Sequence, residues 1–306
     1  MATSTQWVAG ARLRTLPLAV APVLVGTGAA IYLAYTRVDG DNPSSSSDIP
    51  VWDLSVRALL ALIVSLALQV AVNYANDYSD GIRGTDDDRV GPFRLTGSRA
   101  ATPEQVKNAA FASFGVAAVA GLALVALSEQ WWLLAVGVAC ILAAWYYTGG
   151  RRPYGYAGLG EIAVFVFFGL VAVLGTTYTQ AGLVSWSAFA SAVAIGSLAC
   201  AVLVVNNLRD IPTDSLAGKI TLAVRLGDAG TRRFYLLLIA VPFLAALAVV
   251  PTHPWAALAL LAVPLAVPPA RTVTGDAQGL ALLPVLRDTG RLSLIYAMLL
   301  AIGLAL

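Results

Sequence analysis

The sequence predicts an all-α, polytopic membrane helix bundle of about nine transmembrane helices with its N-terminus in the cytoplasm. Three observations predict it. Of the 306 residues, 58% are hydrophobic and only 12% are charged, where a soluble domain is roughly 25% charged. Apolar windows of membrane-spanning length recur along the chain, and Lys and Arg gather in alternate connections. A water-soluble fold could not hide this much apolar surface, so the bilayer is the solvent for most of it.

Spans are expected near 16–36, 54–76, 106–127, 131–148, 161–179, 184–208, 234–251, 255–271 and 291–306, the last being short. Arg12 and Arg14 precede the first, and no A-x-A cleavage site follows. That reads as a retained first helix rather than a removed signal peptide. Small residues inside the spans, such as Gly26, Gly28, Ala29 and Ala30, suit close helix packing in lipid. The connections then alternate. The N-terminus, 77–105, 149–160, 209–233 and 272–290 are basic, whereas 37–53, 128–130, 180–183 and 252–254 are short or acidic. All but Arg37 and Arg57 of the 19 Lys and Arg fall in or beside the first set, which the positive-inside rule assigns to the cytoplasm. Residues 41–48 (DNPSSSSD) read as a flexible external loop. Residues 1–306 read as one helical domain with no soluble appendage.

Several function classes are excluded at this point. A net charge of +2 suggests no nucleic-acid partner. Cys140 and Cys200 sit inside apolar runs and read as small core residues. There is no CxxC or HExxH, and His253 is the one histidine, which leaves zinc and histidine chemistry little to work with.

Two of the basic connections carry the chemistry. Residues 73–89 (NYANDYSDGIRGTDDDR) follow the second span, and residues 206–219 (NNLRDIPTDSLAGK) follow the sixth. Asn73 and Asp77, Asn76 and Asp80, and Asn206, Asp210 and Asp214 are spaced by four. If each helix continues through its motif, these side chains stack on one face and point into a shared cavity at the membrane boundary. Mg²⁺ takes carboxylate and amide oxygens and completes its shell with water and phosphate oxygens. Two facing carboxylate clusters can therefore grip a diphosphate through bridging metal ions, with Asp77, Asp80, Asp210 and Asp214 as candidate catalytic and metal ligands. Ionisable groups at the end of apolar helices are costly and usually functional. Asp86, Asp87 and Asp88 read more readily as a solvated run, with Asp86 the best further ligand. Arg83 and Lys219 lie close enough in sequence to contact phosphate oxygens. A third connection, 146–161 (YYTGGRRPYGYAGLGE), offers Arg151, Arg152, Tyr154 and Tyr156 beside glycines. Its arginines are topology signals or partners of a diphosphate or an aromatic carboxylate.

At these residues the chain resembles the UbiA superfamily of intramembrane prenyltransferases. Asn76-Asp77-Tyr78-Ser79-Asp80 matches the start of that family's first Asp-rich motif, and Asp210-x-x-x-Asp214 matches its second. The family's further Asp, eight residues past Asn76, falls on Gly84 here, and Asp86 is the nearest substitute. Within the superfamily, residues 11–17, 73–80, 89–95, 152–161 and 207–227 are similar to the menaquinone-pathway branch, which prenylates 1,4-dihydroxy-2-naphthoate. The resemblance covers nearly the whole chain. It implies a nine-helix bundle in the cell membrane whose active site faces the cytoplasm. It also implies Mg²⁺ held by Asp77, Asp80, Asp210 and Asp214 with Asp86, and a polyprenyl diphosphate bound near Asn73, Asn76, Arg83, Asn206, Lys219, Arg151 and Arg152. The aromatic substrate would meet Arg152, Tyr154 and Tyr156, and the prenyl tail would lie along apolar helices or reach membrane lipid.

Three rivals weigh against this reading. An ion-coupled transporter would place carboxylates near the bilayer midplane, whereas here they cluster at one end. A CDP-alcohol phosphotransferase would carry a DGxxAR pattern, which is absent. A sibling prenyltransferase using 4-hydroxybenzoate or another acceptor shares the Asp motifs and differs only in the flanking segments.

Overall fold

The computed structural model describes residues 2–36, 51–84 and 93–306, and no strand occurs among them. Ten helices follow in order: α1 (Ser4–Gly10), α2 (Pro17–Thr36), α3 (Val51–Ile82), α4 (Pro103–Ser128), α5 (Leu133–Tyr146), α6 (Gly160–Ala181), α7 (Trp186–Leu216), α8 (Leu222–Val249), α9 (Pro254–Thr274) and α10 (Gly279–Ala305). Local sequence fixes several starts. Thr3 with Gln6, and Thr102 with Gln105, form reciprocal capping boxes, while Ser185 and Thr221 cap α7 and α8 with their hydroxyls. Each such cap satisfies amides that the first turn leaves unpaired.

Eight of these helices, α2 to α4 and α6 to α10, are long and apolar enough to cross a membrane by length and composition. The expected span at 131–148 is the 14-residue helix α5. It rises about 21 Å at ~1.5 Å per residue, less than the ~30 Å of a hydrocarbon core.

Boundaries differ from the hydropathy reading where helices run on into polar sequence. α3 continues through Asp77 and Asp80 to Ile82, and α7 through Asp210 and Asp214 to Leu216, which is the continuation the spacing by four requires. The short final span near 291–306 is a 27-residue helix. It begins at Gly279, and its polar first half carries Arg287 and Arg291, which pair with Asp288 at 2.8 and 3.7 Å. The 41–48 stretch and Asp86 lie outside the described residues.

α7 is the most enclosed helix and packs against α2, α6, α8 and α10. Small residues set how closely its neighbours approach. A Cβ built on Gly169 of α6 would meet the Ala192 carbonyl at 2.6 Å and the Gly196 Cα at 2.7 Å, so α6 and α7 cross backbone to backbone. α6 is π-helical from Phe165 to Leu174, a widened segment of the kind found at functional sites. At the basic end, Arg232 of α8 pairs with Asp228 at 2.5 Å. It also donates to the carbonyls of Val273, Gly275 and Ala277 at 2.6 to 2.8 Å, which ties the connection between α9 and α10 to the bundle.

The crossing predicts a contrast between two glycines. Gly169→Ala forces backbones apart and should cost about 1–3 kcal/mol. Gly115→Ala, where a Cβ meets nothing within 4 Å, should be neutral or stabilising by up to about 1 kcal/mol. Thermal unfolding of the two purified variants in one detergent checks the pair.

Candidate active site

A cavity of about 920 Å³ opens among α2 to α7 and α10. Its two ends differ because each helix ends differently. Toward the acidic connections the wall is apolar, with Val64, Leu124, Ile141, Phe168 and Val171. That end is tied by Arg57, which pairs with Asp53 at 2.7 Å and donates to the Thr179 carbonyl at 2.9 Å. Toward the basic connections the wall is polar. Its charged members among the described residues are Arg12, Arg14, Arg94, Lys219 and Arg287, against one carboxylate, Asp80. Low-dielectric walls strengthen such a field, so this end favours an anion.

Of the first motif, the cavity wall includes Asn73, Asn76 and Asp80. The phenol of Tyr156 donates to one Asp80 oxygen, and Arg94 approaches the other at 3.4 Å. Asn73 donates to Thr15 Oγ1 and the Ala11 carbonyl, both at 2.9 Å, and accepts from Gln69. Asn76 accepts from the Thr148 hydroxyl at 2.8 Å. Asp77 lies off the wall and has no exposure; its two oxygens accept the amides of Leu95 and Thr96 at 2.7 and 2.9 Å. Arg83 is exposed, donates to the carbonyls of Ser79, Thr148 and Gly150, and sits 5.5 Å over the Tyr156 ring.

In the second motif, Asn206 and Lys219 line the cavity, whereas Asp210 and Asp214 stand behind it. Asp210 takes both arms of Arg209 at 2.6 and 2.7 Å, and the same guanidinium donates to Asn206 at 2.9 Å. Asp214 lies 3.4 Å from Lys219, whose ammonium stands 5.2 Å from the Tyr156 ring. Tyr156 thus touches both motifs at once.

The third connection divides. Tyr154 and Tyr156 line the cavity, while Arg151 and Arg152 are exposed and off its wall. Tyr154 commits its hydroxyl to the Ala143 carbonyl at 2.7 Å. Burial pushes that phenol up to about 12, so it stays a donor at neutral pH.

Among the described residues, no three Asp, Glu, His or Cys side chains come together to hold a metal ion. The donors near the polar end are nonetheless carboxylate and amide oxygens from two helix ends, the hard set that suits Mg²⁺.

The sequence motifs single out none of six further residues at this site. Tyr147 and Asn207 belong to the cavity wall, and the carboxylate of Glu161 accepts from Asn207 at 2.9 Å. Arg12, Arg14 and Arg287, read as topology charges, face the same space. The signal for Glu161 was available: an acidic residue opening an apolar span is expensive unless it has a partner.

Comparison with known proteins places this geometry. The model of the UbiA prenyltransferase family matches residues 44–281. The chain is 56% identical to the 1,4-dihydroxy-2-naphthoate octaprenyltransferase of Mycobacterium tuberculosis, over 100% of this chain and 98% of that protein. It is 39% identical to the enzyme of the same name from Escherichia coli K12, over 98% and 95%. Among solved structures it is similar to a UbiA homolog from Archaeoglobus fulgidus bound to GPP and Mg²⁺. The TM-score is 0.68 at 15% identity, covering 97% of this chain and 98% of that one.

The two first-motif aspartates should separate on mutation. Asp77→Ala unpins two buried amides and should cost about 2–4 kcal/mol, with faster hydrogen exchange at Leu95 and Thr96. Asp80→Ala should keep that protection while prenyl transfer is lost. Exchange mass spectrometry and a turnover assay on both variants check the division.

Proposed function

Because the chain belongs to the UbiA prenyltransferase family, we propose that it transfers a polyprenyl group from polyprenyl diphosphate to 1,4-dihydroxy-2-naphthoate. The C–O bond to the diphosphate breaks with its electron pair leaving on the diphosphate, and a C–C bond forms to the ring. The acceptor's carboxyl group leaves as CO₂, giving the reduced form of a demethylmenaquinone. The cavity's one-ended polarity carries the reading: an apolar length for the tail, and five cationic side chains facing one carboxylate at the other end. Full-length identity to naphthoate octaprenyltransferases supports the choice of acceptor.

The donor set fits a divalent cation. Asp80, Asp210 and Asp214 would hold Mg²⁺, with Asp86 as the further expected ligand. Asp77, expected from the motif as a ligand, would serve by holding the amides of Leu95 and Thr96 behind Asp80. Bound there, the ion supplies Lewis-acid neutralisation of the departing diphosphate. Lys219 and Arg94 would bind phosphate oxygens, and Asn73, Asn76 and Asn206 would hold the polar wall in register. Exposed Arg83, Arg151 and Arg152 would draw the anionic head toward the mouth. The rings of Tyr154 and Tyr156 would flank the aromatic acceptor, with Arg152 near its carboxylate as it arrives. The apolar wall excludes water that would otherwise capture the allylic cation. In this reading the protein is a multi-pass protein of the cell membrane, its polar end and N-terminus in the cytoplasm.

Purified, detergent-solubilised protein should form the prenylated naphthalenediol from a polyprenyl diphosphate and 1,4-dihydroxy-2-naphthoate with Mg²⁺ present, and none after EDTA, as read by mass spectrometry. Product from 4-hydroxybenzoate alone would move the protein to a sibling branch. No product from either acceptor, with no diphosphate binding, would contradict prenyl transfer.

A further inference from the structure

We propose that Tyr147 and Asn207 form a two-point hydrogen-bonding subsite for the oxygen substituents of the aromatic acceptor, with Glu161 as the residue that positions Asn207. The inference rests on prenyl transfer to a dihydroxynaphthoate and specifies how that acceptor is recognised.

Tyr147 follows α5 and lines the cavity. Its ring is held on several sides. Tyr154 meets it edge-on, with centroids 5.6 Å apart at 81°. Gly155 has no room for a side chain, since a Cβ there would lie 2.6 Å from the Tyr147 carbonyl and 3.2 Å from its ring. A Cβ on Gly160, the first residue of α6, would stand 3.1 Å from the Tyr147 hydroxyl. That hydroxyl makes no hydrogen bond to any described residue, unlike Tyr74, Tyr154, Tyr235 and Tyr296, whose hydroxyls all have partners. A fixed phenol left open on a mostly apolar cavity is a donor awaiting an oxygen.

Asn207 supplies the complement. It is 5% exposed and lines the cavity. Its amide nitrogen donates to Glu161 Oε1 at 2.9 Å, so its carboxamide oxygen, without a partner among the described residues, is turned to the cavity. Glu161 is equally enclosed, and its other oxygen has no partner. Its own backbone carbonyl accepts from Cys200 at 3.1 Å, which fixes the start of α6 against α7. A buried carboxyl facing an amide N–H₂ sets which way the amide points.

The occupant's chemistry follows from the pairing. A diphosphate presents acceptors only, so the Asn207 oxygen would repel it, whereas a phenolic acceptor presents O–H groups as well as oxygen lone pairs. A ring diol can donate to Asn207 while accepting from Tyr147. Neither residue can serve the prenyl chain.

The test uses the full-length enzyme and varies each substrate separately. Tyr147→Phe and Asn207→Leu should each raise KM for 1,4-dihydroxy-2-naphthoate by about tenfold, the effect of one lost hydrogen bond in a buried site. KM for the polyprenyl diphosphate should stay within about twofold. Glu161→Leu should reproduce the Asn207→Leu defect, and Glu161→Gln, which keeps an oxygen for the Asn207 amide, should restore KM toward the wild-type value. A loss of packing alone would not give that rescue. Should Glu161→Leu fail to fold, Gly160→Ala, which crowds the Tyr147 hydroxyl, should still raise the naphthoate KM alone. Unchanged naphthoate KM in Tyr147→Phe and Asn207→Leu, or equal rises for both substrates, would overturn the subsite while leaving prenyl transfer intact. A wild-type enzyme inactive on the naphthoate would overturn both.

Discussion

The carboxylate of Asp77 accepts the amides of Leu95 and Thr96 from a wholly buried position, and the polar end of the bundle is arranged around that contact. Two charge-assisted bonds fold the segment after α3 back against its own helix. Phe93 and Arg94 thereby reach the cavity wall, and Arg94 comes within 3.4 Å of Asp80, one turn along from Asp77. The sharing of work within one motif is clear: one aspartate builds the wall that the next one faces. In the second motif Arg209 fills a comparable place, holding Asp210 and Asn206 together.

Around this anchor, a bilayer imposes the remaining arrangement. Polar groups in hydrocarbon need partners, so polarity is confined to helix ends and to a walled interior. The cavity joins those two environments. Its apolar end is lined from α3 to α6 and suits a hydrocarbon tail, while its polar end collects groups from five or so chain segments near the basic connections. Tyr156 links them, donating to Asp80 while Arg83 and Lys219 stand over its ring. Backbone-to-backbone crossings such as Gly169 on Gly196 keep the wall rigid enough for that placement to persist.

Much of this was legible in the sequence. Apolar windows located the membrane helices, and spacing by four within the Asn and Asp motifs suits the continuation of α3 and α7 past their apolar stretches, although the windows themselves end at 76 and 208. What hydropathy could not supply was the end of each helix. α10 begins well before its apolar window, running through Arg287, Asp288 and Arg291, which a hydropathy window leaves out, and α5 is too short to match its window. Side-chain direction was also hidden, since it depends on tertiary partners. Nothing in 73–80 says that Asp77 turns to the backbone of 95–96 while Asp80 turns to the cavity. Arg12, Arg14 and Arg287 looked like topology signals, and nothing in the third connection marks Tyr147 apart from Tyr154 and Tyr156. Asn207 sat beside Asn206 with no local mark to separate their roles. Only the Glu161 contact does so.

The central claim is that one cavity receives the diphosphate at its polar end and the prenyl chain along its apolar wall. A structure of the protein with a non-hydrolysable polyprenyl thiodiphosphate and Mg²⁺ tests this most directly. The expected result is phosphate oxygens beside Lys219 and Arg94 with the metal held by Asp80, Asp210 and Asp214, and the chain running past Leu68 toward Phe168 and Val171. A diphosphate bound instead at the exposed Arg151 and Arg152, with the cavity empty of prenyl density, would contradict it.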